Sequence, residues 1–231
     1  MVVTGKTTVV AVHGAWADGS SWKDVILGLE REGLRIVAAP IPLTSLADDT
    51  AALKRAIARS QGSVVLAGHA YAGAVIAAVN DERVKALVYI AGLAPDEGET
   101  VAQVFYRDEK HSQSPQLAPD ADGFIWMPDE GFGNAFSQHA TAEQIALSVA
   151  VQRPIALKCM QEPVPTPAWR SKPSWYLIAE EDRMINPKTQ HFMAKRMGAT
   201  TRSLAVDHTP LLSAPQKVVD IIREASQTVS S

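Results

Sequence analysis

Short apolar runs alternate with longer amphipathic segments along the first and last thirds of the chain. The apolar runs predict strands over residues 7–12, 35–39, 63–67, 84–91, 174–179 and 201–206. The segments between and after them predict helices near residues 21–32, 46–59, 72–79, 187–197 and 215–225. Continuous apolar strands separated by amphipathic helices are typical of a parallel sheet with helices on both faces. The pattern therefore predicts an α/β fold with a mostly parallel, doubly wound sheet.

Residues 93–172 break this alternation. The stretch is polar and rich in proline, with a helical pattern near residues 141–151 and a hairpin signal around residues 124–127. Ordinary connections are much shorter than this, and long excursions commonly form lids or binding insertions. We therefore expect a core built from residues 1–92 and 173–231, with residues 93–172 inserted as a mainly helical cap.

Length and charge exclude several classes of protein. A chain of 231 residues is long enough for one large core, and α/β folds of this size commonly form one domain. The formal net charge is −3 and the 22 basic residues are scattered, so there is no electrostatic footprint for nucleic acid or an anionic membrane. No apolar stretch approaches the roughly 18 residues that indicate a membrane span. We expect a small, neutral or weakly charged molecule as the partner.

The single cysteine and the start of the chain bear on the compartment. Cys159 has no second cysteine to pair with, so an internal disulfide and a Cys-x-x-Cys motif are excluded. Residues 1–6 lead straight into the first predicted strand and lack the features of a secretory signal. We expect a cytoplasmic protein, whose oligomeric state the sequence leaves open between a monomer and a homodimer.

The most informative motif lies directly after the third predicted strand. Residues 68–73 read Gly-His-Ala-Tyr-Ala-Gly and are followed by good helix formers. In the nucleophile elbow, Gly-x-Ser-x-Gly forms a strained turn from strand to helix, and small residues on either side let the backbones pass closely. Gly68 and Ala72 fill the small positions, but Ala70 carries a methyl group where the motif has a hydroxyl. The motif is therefore an elbow without its nucleophile.

Three further strand ends carry polar residues. His13-Gly14-Ala15-Trp16 follows the first predicted strand, residues 180–182 follow the fifth, and Asp207-His208 follows the sixth. Ligands of open parallel sheets bind beyond the carboxyl ends of the strands, so we expect these groups to converge. His208 is the candidate base and Asp182 the carboxylate that orients it, because a buried carboxylate fixes the tautomer of such a histidine.

Two backbone amides complete the predicted site. The N–H of Tyr71, just past the elbow, and the N–H of Ala15 can both point at one oxygen and stabilise a developing negative charge. Neither donor depends on the side chain at position 70. We therefore expect an oxyanion hole even without a nucleophile.

These motifs together resemble the α/β-hydrolase superfamily, and within it the compact group that includes plant methyl esterases, hydroxynitrile lyases and small bacterial esterases. The resemblance covers nearly the whole chain, through residues 12–16, 68–73, 181–183 and 207–212. It implies an esterase or lactonase type of active site, since elbow, acid and histidine occur in the order of that fold. The chain departs from the family at Ala70, where the family carries serine.

Several of these residues also have simpler structural interpretations. Asp182 could cap the following helix, and His208 could be a structural histidine. We expect His69 to point away from Ala70 and to pack structurally, and His13 to hold the oxyanion loop through its side chain. Asp207 is interpreted as a turn or surface residue rather than a second acid. Surface positions are expected for the remaining histidines, His111, His139 and His191.

The cap sequence offers aromatic residues for a pocket. The candidate substrate-binding residues are Trp16, Phe124, Trp126 and Phe132; Phe105 and Phe136 are further cap aromatics. Packing of the cap against the sheet explains these aromatics equally well. The expected substrate is an apolar ester or lactone. We expect no cofactor and no metal ion, because phosphate-binding glycine loops and ligand-like spacings are both missing from the sequence.

Ala70 itself has two explanations: either the natural protein has serine and this chain was altered, or the alanine is natural. Three functional hypotheses follow. The first is an ester or lactone hydrolase site whose nucleophile has been replaced. The second is a non-covalent enzyme, hydrolytic or lyase-like, in which His208 and Asp182 act as a general base. The third is a binding protein that keeps the pocket and has lost the reaction.

Overall fold

A computed structural model describes residues 7–230 of the chain, and six of its strands form one parallel sheet. In chain order the strands are β1 (Thr7–Val12), β2 (Arg35–Ala39), β3 (Ser63–His69), β4 (Val84–Ile90), β5 (Phe124–Ile125), β6 (Ile155–Ala156), β7 (Ser174–Ala179) and β8 (Thr200–Leu204). The sheet order is β2-β1-β3-β4-β7-β8, and every neighbouring pair in it is parallel. The predicted fold class is therefore confirmed.

Helices cover both faces of this sheet. In chain order they are α1 (Lys23–Arg31), α2 (Leu46–Ala58), α3 (Ala72–Ala77), α4 (Val101–Phe105), α5 (Asp129–Gly131), α6 (Ala142–Val151), α7 (Leu157–Gln161), α8 (Pro187–Arg196), α9 (Pro210–Ser213) and α10 (Pro215–Ser230). Side chains of α1 and α10 pack on one face, and side chains of α2, α3 and α8 pack on the other. None of these helices, within the described residues, is long and apolar enough to span a bilayer.

Strand β1 shows why the sequences of the central strands are apolar at consecutive positions. Val9 and Ala11 point into the core under α1 and α10, whereas Val10 and Val12 point into the core under α2 and α3. Successive side chains of a strand alternate between faces, so a strand buried on both faces needs apolar residues at every position. The same division holds in β3, which carries the elbow to the carboxyl edge of the sheet.

The segment between β4 and β7 adds no strand to the central sheet. It holds helices α4 to α7 and a separate antiparallel pair, in which Phe124 lies opposite Ala156 and Ile125 opposite Ile155. At the expected hairpin, Ile125 forms an antiparallel bridge with Pro119, and the Asp120 N–H donates to the Phe124 carbonyl at 2.8 Å. The strand partner of β5, however, comes from the far end of the segment.

Element ends differ from prediction by a few residues elsewhere. Strand β8 ends at Leu204 and helix α10 continues to Ser230, whereas the pattern predicted ends at residues 206 and 225. Residues 1–6, on which the expectation about the start of the chain rests, lie outside the described residues.

Candidate active site

Ala70 sits at the tip of a strained turn between β3 and α3. Its φ is +50°, a left-handed conformation that residues other than glycine seldom adopt. A Cβ on Gly68 would lie 2.8 Å from the Ala72 carbonyl oxygen, and a Cβ on Gly73 would lie 2.4 Å from the Leu93 carbonyl oxygen. Both glycines are thus required by close backbone approach. Gly73 was not singled out from the sequence, although it belongs to the same motif.

Hydrogen bonds hold this turn on both sides of Ala70. The Ala70 N–H donates to the Ile90 carbonyl at 3.1 Å. The Ala70 carbonyl accepts from Gly73 N at 3.0 Å and from Leu93 N at 2.9 Å. The strained conformation is therefore fixed by its neighbours rather than by the side chain at position 70.

Asp182 and His208 form a buried hydrogen-bonded pair beside the elbow. Nδ1 of His208 lies 2.7 Å from Oδ2 of Asp182, and the two side chains are 2% and 0% exposed. Oδ1 of Asp182 accepts from the N–H groups of Met184 and Ile185 at 2.7 and 2.9 Å. Because an ionised carboxylate only accepts, the ring donates from Nδ1, which leaves Nε2 as the acceptor.

Gln190 is a further partner of this carboxylate that sequence reasoning missed. Its Nε2 donates to Oδ2 of Asp182 at 2.7 Å and to the Ile185 carbonyl at 3.0 Å. The alternative interpretation of Asp182 as a helix cap is wrong, since helix α8 is capped by Asn186, whose side chain accepts from Lys188 N at 2.9 Å.

The loop after β1 lies directly against the elbow. A Cβ on Gly14 would stand 3.1 Å from Cβ of Ala70, so the two segments touch. Trp16, with φ +56°, donates its backbone N–H to the Arg153 carbonyl at 3.0 Å and its Nε1 to the Ile125 carbonyl at 2.9 Å. Within residues 7–230 the amides of Ala15 and Tyr71 donate to no other protein group, so both remain available to a bound oxygen.

The model of the alpha/beta hydrolase family matches residues 9–221 of this chain. The chain belongs to the alpha/beta hydrolase family. Alpha/beta hydrolase nvfD of Aspergillus novofumigatus (strain IBT 16806) is 25% identical to it over 249 residues, covering 96% of this chain and 97% of that protein.

Solved structures show the same fold at lower identity. The methylesterase MES16 from Arabidopsis has a TM-score of 0.79 at 15% identity, covering 96% of this chain and 99% of that chain. A histidine-to-alanine variant of tomato methylketone synthase I, complexed with β-ketoheptanoate, has a TM-score of 0.83 at 15% identity, covering 97% and 99%. The predicted resemblance to the compact group with plant methyl esterases is thus confirmed.

In this alpha/beta hydrolase a largely apolar cavity opens above Ala70. It encloses about 510 Å³ of empty space when its open mouth is included. The lining residues are Ala15, Trp16, Ala70, Tyr71, Leu93, Phe105, Tyr106, Leu117, Ile125, Phe136, Ile155, Met160, Met184, Ile185 and His208. His208 Nε2 has no protein partner among the described residues, and its ring lines this cavity.

Only part of the predicted aromatic lining is found here. Trp16 lines the cavity, whereas Phe124, Trp126 and Phe132 do not. Trp126 is 50% exposed, with Nε1 bound to Asp120. Phe132 is fully buried and packs its ring edge-on against Phe136, while Phe124 lies in the short β5–β6 pair.

Phe105 and Phe136, which the sequence analysis named among the cap aromatics, line the cavity. The aliphatic lining residues, such as Leu93 and Ile185, were not chosen from the sequence. Isolated apolar residues in an irregular segment carry no periodic signal that separates a cavity wall from core packing.

The two histidines next to the site have structural roles. His69 donates from Nε2 to the His208 carbonyl at 2.8 Å, and burial lowers its pKa to about 3. Nδ1 of His13 lies 3.0 Å from the Gly14 carbonyl, and burial lowers its pKa as well. Both rings are therefore neutral near pH 7, as structural packing requires.

Asp207 is buried, which corrects the expectation of a turn or surface residue in part. Its carboxylate accepts from His139 N at 2.9 Å and from Ser213 Oγ at 2.6 Å. It therefore ties the segment before α6 to the loop after β8. The side chains of His111, His139 and His191 are exposed, as predicted. Within the part of the chain described, no group of three or more His, Cys, Asp or Glu could hold a metal ion.

Proposed function

We propose that this alpha/beta hydrolase acts on a small, largely apolar carbonyl compound through proton transfer at His208, without an acyl-enzyme intermediate. The observation that supports this most strongly is the complete Asp182–His208 pair, buried beside a methyl group. Burying an ionised carboxylate is costly unless donors surround it. Four donors converge on Asp182, which keeps the imidazole in the tautomer that a general base needs.

Hydrolysis of an apolar ester or lactone is the first candidate reaction. Water attacks the carbonyl carbon, and its proton passes to Nε2 of His208. The negative charge that develops on the carbonyl oxygen is stabilised by the N–H groups of Ala15 and Tyr71. When the bond to the leaving oxygen breaks, that oxygen receives the proton from His208. The methyl group of Ala70 takes no part, because it neither attacks nor donates.

Decarboxylation of a β-keto acid is a second candidate, supported by the methylketone synthase structure that holds β-ketoheptanoate. The bond between the α-carbon and the carboxylate breaks and carbon dioxide leaves. The electron pair moves to the ketone oxygen, where the same two amides stabilise the enolate. The carboxyl proton of the β-keto acid passes to Nε2 of His208 before this bond breaks, and the α-carbon then takes that proton back from His208. Among the described residues no lysine or arginine lines the cavity, so a carboxylate would lie in apolar surroundings, which disfavour its charge.

Initial rates with three probes test the proposal. p-Nitrophenyl hexanoate, δ-decalactone and β-ketoheptanoate are each offered to the unmodified chain and to the His208→Ala variant. Loss of the base should lower the rate on the true substrate class by about 10²- to 10⁴-fold. His191→Ala is the matched control, since His191 is exposed and pairs with Glu180; its rates should equal those of the unmodified chain.

The same assay separates the remaining hypotheses. Equal rates for His208→Ala and the unmodified chain on every probe defeat the proposal. Thermal stabilisation by a probe that is recovered unchanged would instead favour a binding protein, because a ligand that binds only the folded state raises the melting temperature.

A further inference from the structure

A second buried carboxylate, outside the pair described above, lies beneath the elbow. Asp49 is on helix α2 and is fully buried. Its Oδ2 accepts from the Tyr71 hydroxyl at 2.7 Å, and its Oδ1 accepts from Leu43 N at 2.7 Å. Sγ of Cys159 lies 3.6 Å from Oδ2. Asp49 therefore joins α2, the elbow and helix α7 through one side chain.

The charge of Asp49 is only partly compensated. Burial raises its pKa to about 6, although the hydrogen bonds from Tyr71 and Leu43 act in the opposite direction. No cationic side chain in residues 7–230 forms an ion pair with it. Such an acid costs stability when ionised, so packing alone gives no reason for it here.

The partner of Asp49 carries one of the two free amides. Tyr71 supplies its backbone N–H to the oxyanion site, while its ring lines the cavity and its hydroxyl reaches Asp49. The preceding peptide is fixed at its carbonyl end, where Ala70 O accepts from Gly73 N and Leu93 N at 3.0 and 2.9 Å. Its nitrogen end is held through the Tyr71 side chain. The peptide plane that contains the donor is thus restrained at both ends.

We propose that Asp49 is a positioning residue for the Tyr71 amide, which it aims at the substrate oxygen by holding the phenol. The inference rests on the proposed function, because it assigns the Tyr71 N–H to an oxyanion. Hydrogen-bond donors stabilise the transition state only when they lie at hydrogen-bond distance from the oxygen where charge develops. If the Tyr71 phenol were free to move, the Tyr71 N–H would not be held at that distance. If Asp49 had a purely structural role, its replacement would disturb the contacts with Leu43 and Cys159 and leave the position of the Tyr71 N–H unchanged.

Ligand affinities in two variants distinguish these roles. The probes are the monomethyl ester of hexylphosphonate, an anionic tetrahedral mimic, and ethylbenzene, which has no oxygen. Asp49→Leu and Tyr71→Phe, which both remove the hydrogen bond between the phenol and position 49, should each raise the Kd of the phosphonate by about tenfold, a loss of about 1.4 kcal/mol. The Kd of ethylbenzene should change by less than twofold. In the free protein, the ¹⁵N–¹H resonance of Tyr71 should shift or broaden when Asp49 is replaced.

Thr50→Val is the matched control. The Thr50 hydroxyl is buried next to Asp49 on α2 and has no hydrogen-bond partner among the described residues, so the nearly isosteric change removes no bond. Its affinities and the Tyr71 resonance should equal those of the unmodified chain. If Asp49→Leu does not fold, Tyr71→Phe still tests the proposal, because it removes the same hydrogen bond from the side of the phenol.

Each outcome has one meaning. Folded variants whose phosphonate Kd stays within twofold overturn the role of Asp49. Equal losses for phosphonate and ethylbenzene also overturn it, since they indicate a distorted cavity wall. If the unmodified chain binds the phosphonate but turns over no carbonyl substrate, the proposed function fails while the positioning role stands. If it does not bind the phosphonate, the positioning role fails, and turnover alone decides the proposed function.

Discussion

Gln190 and His208 bind the same oxygen of Asp182, each at 2.7 Å. The carboxylate is therefore held by a side chain from α8 while it orients a side chain from the loop after β8. Its second oxygen is occupied by two backbone amides. This arrangement fixes the carboxylate in position without any help from the residue at the elbow.

Replacing Asp182 tests what the carboxylate does. In Asp182→Asn the amide can donate to Nδ1 of His208, which favours the tautomer that carries its proton on Nε2 and cannot accept there. Turnover should fall by about 10³- to 10⁴-fold. Steady-state kinetics on the best probe measure this, with circular dichroism as the check on folding. A folded variant with more than a tenth of the original rate would exclude a role for the carboxylate in catalysis.

Gln190 should affect catalysis through its hydrogen bond to Asp182. Gln190→Met keeps the length of the side chain but removes the donor to Oδ2 and the acceptor for Ala179 N at 3.0 Å. We expect kcat to fall by about tenfold, the equivalent of about 1.4 kcal/mol, with KM unchanged. A rise in KM at constant kcat would instead place Gln190 in substrate binding, which the cavity lining does not support.

Restoring the hydroxyl tests whether the elbow is still competent. Ala70→Ser adds one oxygen at a position whose φ of +50° is already set by neighbouring backbone bonds, so the fold should tolerate it. The variant should be labelled by a fluorophosphonate and should release a burst of p-nitrophenol from p-nitrophenyl hexanoate. Labelling should disappear in the double variant Ala70→Ser, His208→Ala. An unlabelled, folded Ala70→Ser protein would show that Nε2 of His208 is not aimed at position 70.

The raised pKa of Asp49 should be visible in how the free energy of unfolding depends on pH. Its folded pKa of about 6 lies above its ordinary value of 3.8, so the folded state binds the proton more tightly than the unfolded state. Its contribution to the free energy of unfolding therefore falls as pH rises from about 4 to about 6, by up to about 3 kcal/mol. His69, with a pKa lowered to about 3, acts in the opposite direction, because stability from its neutral ring is lost as pH falls below 6.5.

The variant Asp49→Asn separates the contribution of Asp49 to this pH dependence from that of His69. Urea unfolding of both proteins should be measured from pH 4 to pH 7. As pH rises, the free energy of unfolding of the variant should increase relative to that of the unmodified chain. His69 contributes equally to both curves and cancels in their difference. A constant difference across the window would mean that Asp49 titrates in the ordinary range.

Gly73 should be irreplaceable for a steric reason. A Cβ there would lie 2.4 Å from the Leu93 carbonyl oxygen, which is backbone and cannot move without breaking its neighbours' bonds. Gly73→Ala should lower the free energy of unfolding by about 1–3 kcal/mol or more. Gly133→Ala, where the nearest atom to a new Cβ is 3.8 Å away, is the control and should be close to neutral.

The sequence predicted the parts of the site that follow strands. Asp182, His208 and the elbow all come directly after apolar runs, and parallel strands bring such ends to one edge. Their convergence could therefore be predicted. Gln190 could not, because a polar residue on a helix is most simply interpreted as solvent-exposed.

The role of Asp49 and most of the cavity wall could not be predicted from the sequence for similar reasons. Asp49 lies in the first turn of α2, where an acid is expected to complement the helix dipole at the surface. Its inward direction follows from the position of Tyr71 across the core, which no local pattern encodes. The wall residues Tyr106 and Leu117 belong to the segment between β4 and β7, whose short elements pair over long distances, as β5 and β6 do.

One measurement addresses the central claim most directly: the amount of product formed per molecule of the unmodified chain, together with the intact mass of the protein during turnover. The account predicts product in large molar excess on an ester, a lactone or a β-keto acid, while the protein mass stays unchanged because Ala70 cannot be acylated. Product no greater than the uncatalysed background, or an acyl adduct on the protein, would contradict it.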